Sequence, residues 1–403
     1  MSYNARWYTE EGNLRSIGRM HLRRLLDHYS EDLENQGIRI DEPEDDDAYY
    51  RALVGVFMRP AGIPNQLHEA LYFIKGLDNA RGEARLVDAA QSGRLNINMN
   101  GDRSTADKAL LAWLADERLV RQLFLEVGLD ASRSFYNLRS VPGSLPHMRD
   151  FDSVKDQLQD ELAELFYKHS REKWARVTLH RRGPKWIFVV ERTDPFRRET
   201  KHEDNRTKPL FYWPTEQDLV VYDEETKDLS MNVVSKWQKE GYAKLFGQHL
   251  FHDASLFHET PKYTLRPIRT RGRGVLEGAA YGIKSIRLAE LACKVSDDEN
   301  DYRIRRADDV FAAYENEDGI PNGEDLAWAK FGVTFEDSNT ERMVTIQPPN
   351  RAKYTQDQNG ARVTEWMAAH GFIVEQQPQQ HEGVPTYVNN EPPRLTVAVT
   401  LQS

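Results

Sequence analysis

The spacing of apolar residues in this 403-residue chain changes near Trp174, and that change restricts the fold more than any other feature. Before it, apolar residues recur every three to four positions, the spacing of a helix face. Over residues 14–36 they fall at Leu22, Leu25, Leu26, Tyr29 and Leu33, and Gly37 follows as a stop. From Asn65 a second stripe runs through Leu67, Leu71, Ile74 and Leu77. Ser104 precedes Asp107 by three residues and leads into Ala109, Leu110, Trp113 and Leu114, which marks a helix N-cap. A further helix is expected over 152–170, with Val154, Leu158, Leu162, Leu165 and Phe166 on one face. The acidic run at 41–47 reads as a solvated loop, and the proline-bearing stretch 141–146 as a linker.

Beyond Trp174 the period is two. Residues 176–180 and 185–192 read as strands around the turn Arg181-Arg182-Gly183-Pro184. Residues 210–213 form a third short strand, and 219–222 pairs with 229–233 across 223–228. An amphipathic helix is expected over 235–250. In the last third, 331–335 and 343–346 form a hairpin, 363–370 a helix stopped by Gly371, and 372–375 the start of a strand. The alternation Leu395, Val397, Val399, Leu401 reads as a closing strand that returns to an earlier one. Helices first and strands later predict a multi-domain α+β protein. Its expected parts are a helical domain over 1–149, an antiparallel strand-rich domain with flanking helices over 150–289, and a mixed α/β domain over 290–403. The length fits two or three domains.

Charge divides the chain along similar lines. The whole carries −10, but residues 1–170 carry −7, residues 171–288 carry +7 and residues 289–403 carry −10. A basic band between acidic flanks points to an anionic partner: DNA, RNA, an acidic protein, or the flanks themselves. The band has two concentrations. Residues 171–208 hold twelve Lys/Arg against six Asp/Glu, interleaved with Trp174, Trp186, Phe188 and Phe196. There Arg181, Arg182 and Lys185 sit at the hairpin tip beside Trp186, and Arg197, Arg198 and Lys201 follow. The second concentration is Arg266, Arg269, Arg271 and Arg273, in backbone loosened by Gly272 and Gly274. Arginine forks match phosphate oxygens bidentately, so these eleven residues are the expected polyanion contacts.

Catalytic patterns are thin. The chain has no G-x-x-x-x-G-K-[ST], no H-E-x-x-H and no G-x-S-x-G, and Gly272, Gly274 and Gly278 do not complete a dinucleotide fingerprint. Asp218 with Glu225-Thr226-Lys227 copies the D…E-x-K order of metal-dependent nucleases, in which carboxylates hold the metal and the lysine orients water. Residues 223–228 also read as a turn. His249, His252 and His258 are the candidate metal ligands, set among aromatic residues that favour a structural role. The single cysteine, Cys293, excludes an internal disulfide and a cysteine metal cage, and fits a reducing compartment. The first residues lack a signal-peptide core, and no apolar run reaches membrane-spanning length. The expectation is a non-enzymatic binding or assembly component of a cytoplasmic complex. It needs no cofactor, avoids membranes and contacts nucleic acid or another polyanion through its basic middle, with a protein partner also possible. The alternatives are a metal-dependent nuclease or phosphodiesterase using Asp218, Glu225 and Lys227, and a protein-only adaptor.

Overall fold

A computed structural model of the chain describes residues 5–38, 45–58, 62–99, 101–131, 133–140, 148–203, 206–296, 301–315, 319–321 and 325–375. The class is α+β, with an eleven-stranded sheet. Two compact units divide the chain: residues 1–133 with 355–361, and residues 134–354 with 362–403.

The first unit is helical. Its helices are α1 (Glu11–Arg15), α2 (Arg19–Asp27), α3 (Ser30–Asn35), α4 (Asp46–Phe57), α5 (Asn65–Leu77), α6 (Ala80–Gln91), α7 (Thr105–Ala115) and α8 (Glu117–Leu129). The expected stripes are buried, with Leu22, Leu25, Leu26 and Leu33 meeting Leu67, Leu71, Ile74 and Leu77 in one core. The stripe over 14–36 is not one helix. It breaks before Arg19 and before Ser30, so three short helices bend around the core. Gly37 takes φ +71°, the left-handed conformation that a helix stop requires. The Ser104 hydroxyl accepts the Asp107 N–H at 3.0 Å, as expected of an N-cap. Asp107 is itself buried and accepts the Gly18 N–H at 2.9 Å, with His21 Nδ1 at 2.7 Å. One side chain in α7 thereby fixes the start of α2.

Residues 41–44 of the acidic run lie outside the described residues, and residues 45–47 depart from the expected loop. Asp45 caps α4 by accepting the Ala48 N–H at 2.9 Å, and Asp46 and Asp47 occupy the first helical turn. Carboxylates there complement the helix dipole, so these charges begin a helix rather than only solvating a loop. Asn79 and Asp116 cap α6 and α8 in the same way.

The second unit opens with β1 (Arg133–Ser140) and α9 (Lys155–Lys168). Strands β2 (Ala175–Arg182), β3 (Lys185–Thr193), β4 (Arg197–Glu203), β5 (Arg206–Tyr212), β6 (Thr215–Asp223) and β7 (Asp228–Met231) follow, then α10 (Lys236–Phe251), β8 (Phe257–His258) and α11 (Arg266–Arg271). The remainder is β9 (Ile283–Ser296), β10 (Asp301–Arg306), α12 (Val310–Glu315), β11 (Asp325–Phe335), β12 (Arg342–Gln347), β13 (Arg351–Tyr354) and α13 (Gln358–Ala369). The large sheet runs β10-β9-β11-β12-β13-β1-β7-β6-β3-β2, with β8 added beside β1. Strands from the basic middle and from the acidic C-terminal third therefore share one sheet, joined at β1. Strands β4 and β5 form a separate two-stranded ribbon.

Alternation builds two cores. On β2, β3, β6 and β7, Val177, Phe188, Val190, Val220, Tyr222, Leu229 and Met231 face Leu158, Leu162 and Phe166 of α9 and Tyr242, Phe246 and Leu250 of α10. Under β9, β11 and β12, Leu288, Leu291, Cys293, Phe331, Val333 and Ile346 meet Val310 and Phe311 of α12 and Val363, Trp366 and Met367 of α13. Each buried Leu, Val or Phe contributes about 1.5–3 kcal/mol before entropy. Gly371 takes φ +78° just past α13, as its role of helix stop requires. The strand expected to begin at 372 reduces to one bridge, Ile373 to Tyr263. The strand expected over 395–401 and the linker over 141–146 lie outside the described residues.

Candidate polyanion-binding surfaces

The β2–β3 hairpin turns through Gly183 and Pro184, and its register sets Arg181 opposite Trp186 and Arg182 opposite Lys185. Gly183 has φ +56°, which a side chain would resist. The Arg181 guanidinium lies 3.6 Å over the Trp186 ring. Trp186 Nε1 donates to Glu224 at 2.8 Å, and Arg181 reaches the same carboxylate at 3.6 Å. Arg181 is thus held in place while its side chain stays 58% exposed. Arg182 and Lys185, half-buried, complete the basic tip.

The β4–β5 ribbon carries the next group. Its register places Arg198 opposite Phe211 on one face, and Arg197, Glu199 and Lys201 opposite Tyr212, Leu210 and Lys208 on the other. Phe196 stacks on Phe211 with ring centroids 6.1 Å apart and 12° between planes, and Trp213 lies 5.1 Å from Phe196. Phe196 and Phe211 are nonetheless exposed, as are Arg198 and Lys201. Arg197 pairs with Asp194 while its own side chain stays exposed. The ribbon thus sets exposed rings beside exposed cations.

The second concentration does not behave as a loose phosphate wrap. Residues 266–271 are helical, and Gly272–Leu276 continue as a 3-10 turn. Arg273 sits between Glu315 at 2.8 Å and Asp309 at 2.7 Å, two carboxylates of the acidic C-terminal third. Hydrogen bonds to Glu315 and then Asp309 raise its already high pKa. Arg269 donates to the Pro321 carbonyl at 2.6 Å, and Arg271 to the Ala369 carbonyl at 3.3 Å. Here the basic band is answered by its own chain. Arg266 and Arg269 also line a cleft of about 590 Å³, which they share with Lys294, Tyr302, Asp325 and Trp328.

The nuclease arrangement is not assembled. Asp218 is buried on the helix-covered face of β6 and receives Arg192 Nε at 2.6 Å, Tyr242 Oη at 2.6 Å and Gln238 Nε2 at 3.0 Å. Its lone pairs are spent on structure. Burial, and then the Asp218 carboxylate, push the Tyr242 hydroxyl well above the ordinary phenol range. Glu225 and Lys227 lie in the exposed turn between β6 and β7, where Lys227 has φ +60°. In such a turn E-x-K has no strand on which to project both side chains beside the aspartate.

The histidines also separate by role. His249 is buried on α10 with Glu161 3.2 Å from its Nε2, His252 is the left-handed C-cap of that helix, and His258 is exposed on β8. Among the described residues no group of three His, Cys, Asp or Glu is placed to hold a metal ion. Cys293 is buried in the second core.

One buried polar cluster escaped the sequence reading. Lys262 Nζ reaches Asp228 at 2.7 Å and Asn137 at 3.2 Å. The Asn137 N–H donates to the Asn350 carbonyl at 2.8 Å, and Arg139 donates to the Val374 carbonyl at 2.5 Å. These residues brace β1 and β7 against the segments that follow β8, β12 and α13. Their sequence signal was polar residues at alternate positions in β1 and β7, which reads equally well as a solvated face. Neither a family model nor a curated protein matches the chain, so the functional reading rests on this geometry.

Proposed function

We propose that this protein is a non-enzymatic, nucleic-acid-binding component of a cytoplasmic assembly, and that it grips the phosphate backbone with the hairpin tip and ribbon of its basic middle. The carrying observation is the pairing of exposed cations with aromatic rings at two places: Arg181 on Trp186 at the β2–β3 tip, and Arg198 beside the Phe196–Phe211 stack on the β4–β5 ribbon. The β4–β5 ribbon, two strands wide, is narrow enough for a major groove about 12 Å across, while the β2–β3 tip stands at the edge of the large sheet. Tethering by Glu224 limits the entropy that Arg181 would lose on binding. The buried lone thiol fits a reducing compartment, and no helix among the described residues is long and apolar enough to cross a membrane. The exposed rings of the ribbon also fit a protein neighbour in the same assembly.

A salt-titrated electrophoretic shift assay with duplex and single-stranded DNA and RNA tests the reading. Arg181→Ala with Arg182→Ala should weaken duplex binding similarly across sequences. It should also flatten the log–log salt dependence by roughly 0.9 per lost phosphate contact. Unchanged affinity and slope in the double variant would remove the tip from the proposal.

A further inference from the structure

Residues 289–403 sum to −10, yet the folded sheet sorts their charges unevenly. Directly opposed residues of an antiparallel ladder project to the same side. One such row crosses five strands as Arg306, Glu290, Lys330, Thr345 and Lys353. The next row is Ile304, Ala292 and Trp328, and the one beyond it is Tyr302, Lys294 and Asp325. The core residues Leu291, Cys293, Ala329 and Ile346 alternate with these and project to the opposite side. The acidic residues Asp309 and Glu315 belong to α12 and its approach, and they are occupied by Arg273.

The outward face is therefore cationic within an acidic segment. Arg306 and Lys330 converge on one carboxylate, Glu290, at 2.5 and 2.8 Å, and Trp328 Nε1 donates to it at 2.7 Å. A single negative charge shared by two cations leaves an excess of positive charge, to which Lys353 adds. The rings of Tyr302 and Trp328 lie 5.3 Å apart, and Tyr302 is 37% exposed. The 590 Å³ cleft is lined by these two rings together with Arg266 and Arg269.

We propose that this face and its cleft form a second site that binds single-stranded nucleic acid, with a base stacked at Tyr302 and Trp328 and phosphates on Arg306, Lys330 and Lys353. A row of cations alone would suit any polyanion, and the rings decide the class. A duplex keeps its base faces stacked inside, and a sheet face five strands wide does not enter a groove about 12 Å across. A single strand turns its base faces outward to aromatic side chains and its phosphates to neighbouring cations. An acidic peptide would satisfy the cations and leave the rings without a matching surface.

The test is fluorescence anisotropy with a short labelled oligothymidylate, using the full chain and exposed positions whose replacement spares both cores. Tyr302→Ala should bind roughly 5- to 100-fold more weakly, as loss of one stacking platform requires, with little change in salt slope. Tyr302→Phe should restore binding. Lys353→Ala should lower the slope by about 0.7, the value for one phosphate contact on a single strand. Full affinity in both alanine variants, with melting temperatures unchanged, would overturn the proposal. So would an abasic oligonucleotide or polyglutamate competing as well as oligothymidylate, since either would make the face a site for acidic polymer without bases. Arg181→Ala/Arg182→Ala separates the two sites: loss of oligothymidylate binding there, with Tyr302→Ala unaffected, sinks this site and spares the hairpin tip. Loss in Tyr302→Ala together with unaltered duplex binding in the tip variant does the reverse.

Discussion

Replacing Asp218 with alanine separates a structural aspartate from a catalytic one. The carboxylate is buried and accepts from Arg192, Gln238 and Tyr242 within 3.0 Å at its nearest contacts. Its removal leaves Arg192, only 12% exposed, with Asp194 at 3.5 Å as its remaining acidic neighbour. Breaking a buried ion pair from one side costs about 3–5 kcal/mol. The residual Asp194 contact holds the expected loss near the lower figure, about 3 kcal/mol. Each kcal/mol moves the melting temperature of a unit this size by about 2–4 °C, so Asp218→Ala should melt roughly 6–12 °C lower. Calorimetry and urea titration of the sheet unit's transition would read this directly. Asp218→Asn, which keeps an acceptor for Tyr242, should lose less. The nuclease alternative expects the opposite pattern, with magnesium-dependent phosphodiester cleavage lost and the melt little changed. An Asp218→Ala protein that melts with the unaltered chain would refute the assignment of this carboxylate to structure.

Other outcomes follow from local geometry. Ser104→Ala removes the cap on the Asp107 N–H and the bond to the Ser16 carbonyl, and should cost the helical unit about 1–2 kcal/mol in a denaturant titration. Gly247→Ala would place a Cβ 2.4 Å from the Asp253 carbonyl oxygen, so the end of α10 must shift, and a loss of about 1–3 kcal/mol is expected by thermal melt. Gly128→Ala in α8 meets nothing within 4 Å and should stabilise by up to about 1 kcal/mol. Burial, followed by Glu224 and Asp223, pushes the Tyr222 hydroxyl up to about 12 from the usual 10. A phenol harder to ionise when folded stabilises fully below pH 10, and that contribution is lost as pH climbs from 10 to 12. Tyr222→Phe should therefore lose less stability than the parent across that window in alkaline melts.

Local readings succeeded where a residue's neighbours in sequence are also its neighbours in space. The stripe at 65–77, the Ser104 cap, the turn at Gly183-Pro184 and the stop at Gly371 depend on contacts within a few residues, and all appear as read. The stripe over 14–36 was half legible: its buried face was correct, while the breaks that bend it follow the shape of the helical core. Helices α4, α6 and α8 show in the sequence only through their caps, Asp45, Asn79 and Asp116.

The sequence by itself determined the α+β class, the change of period near Trp174 and the presence of cations at the β2–β3 tip. Backbone spacing and turn chemistry are local properties, and they survive into any fold that uses those elements. Only the tertiary structure decided which charges face solvent. It turned Arg273 onto Asp309 and Glu315, surrounded Asp218 with three donors, and gathered Arg306, Lys330 and Lys353 onto one face of an acidic segment. Net charge is a sum over positions and carries no direction. Strand pairing supplies the direction, because residues far apart in the chain reach one row only when their strands are laid side by side.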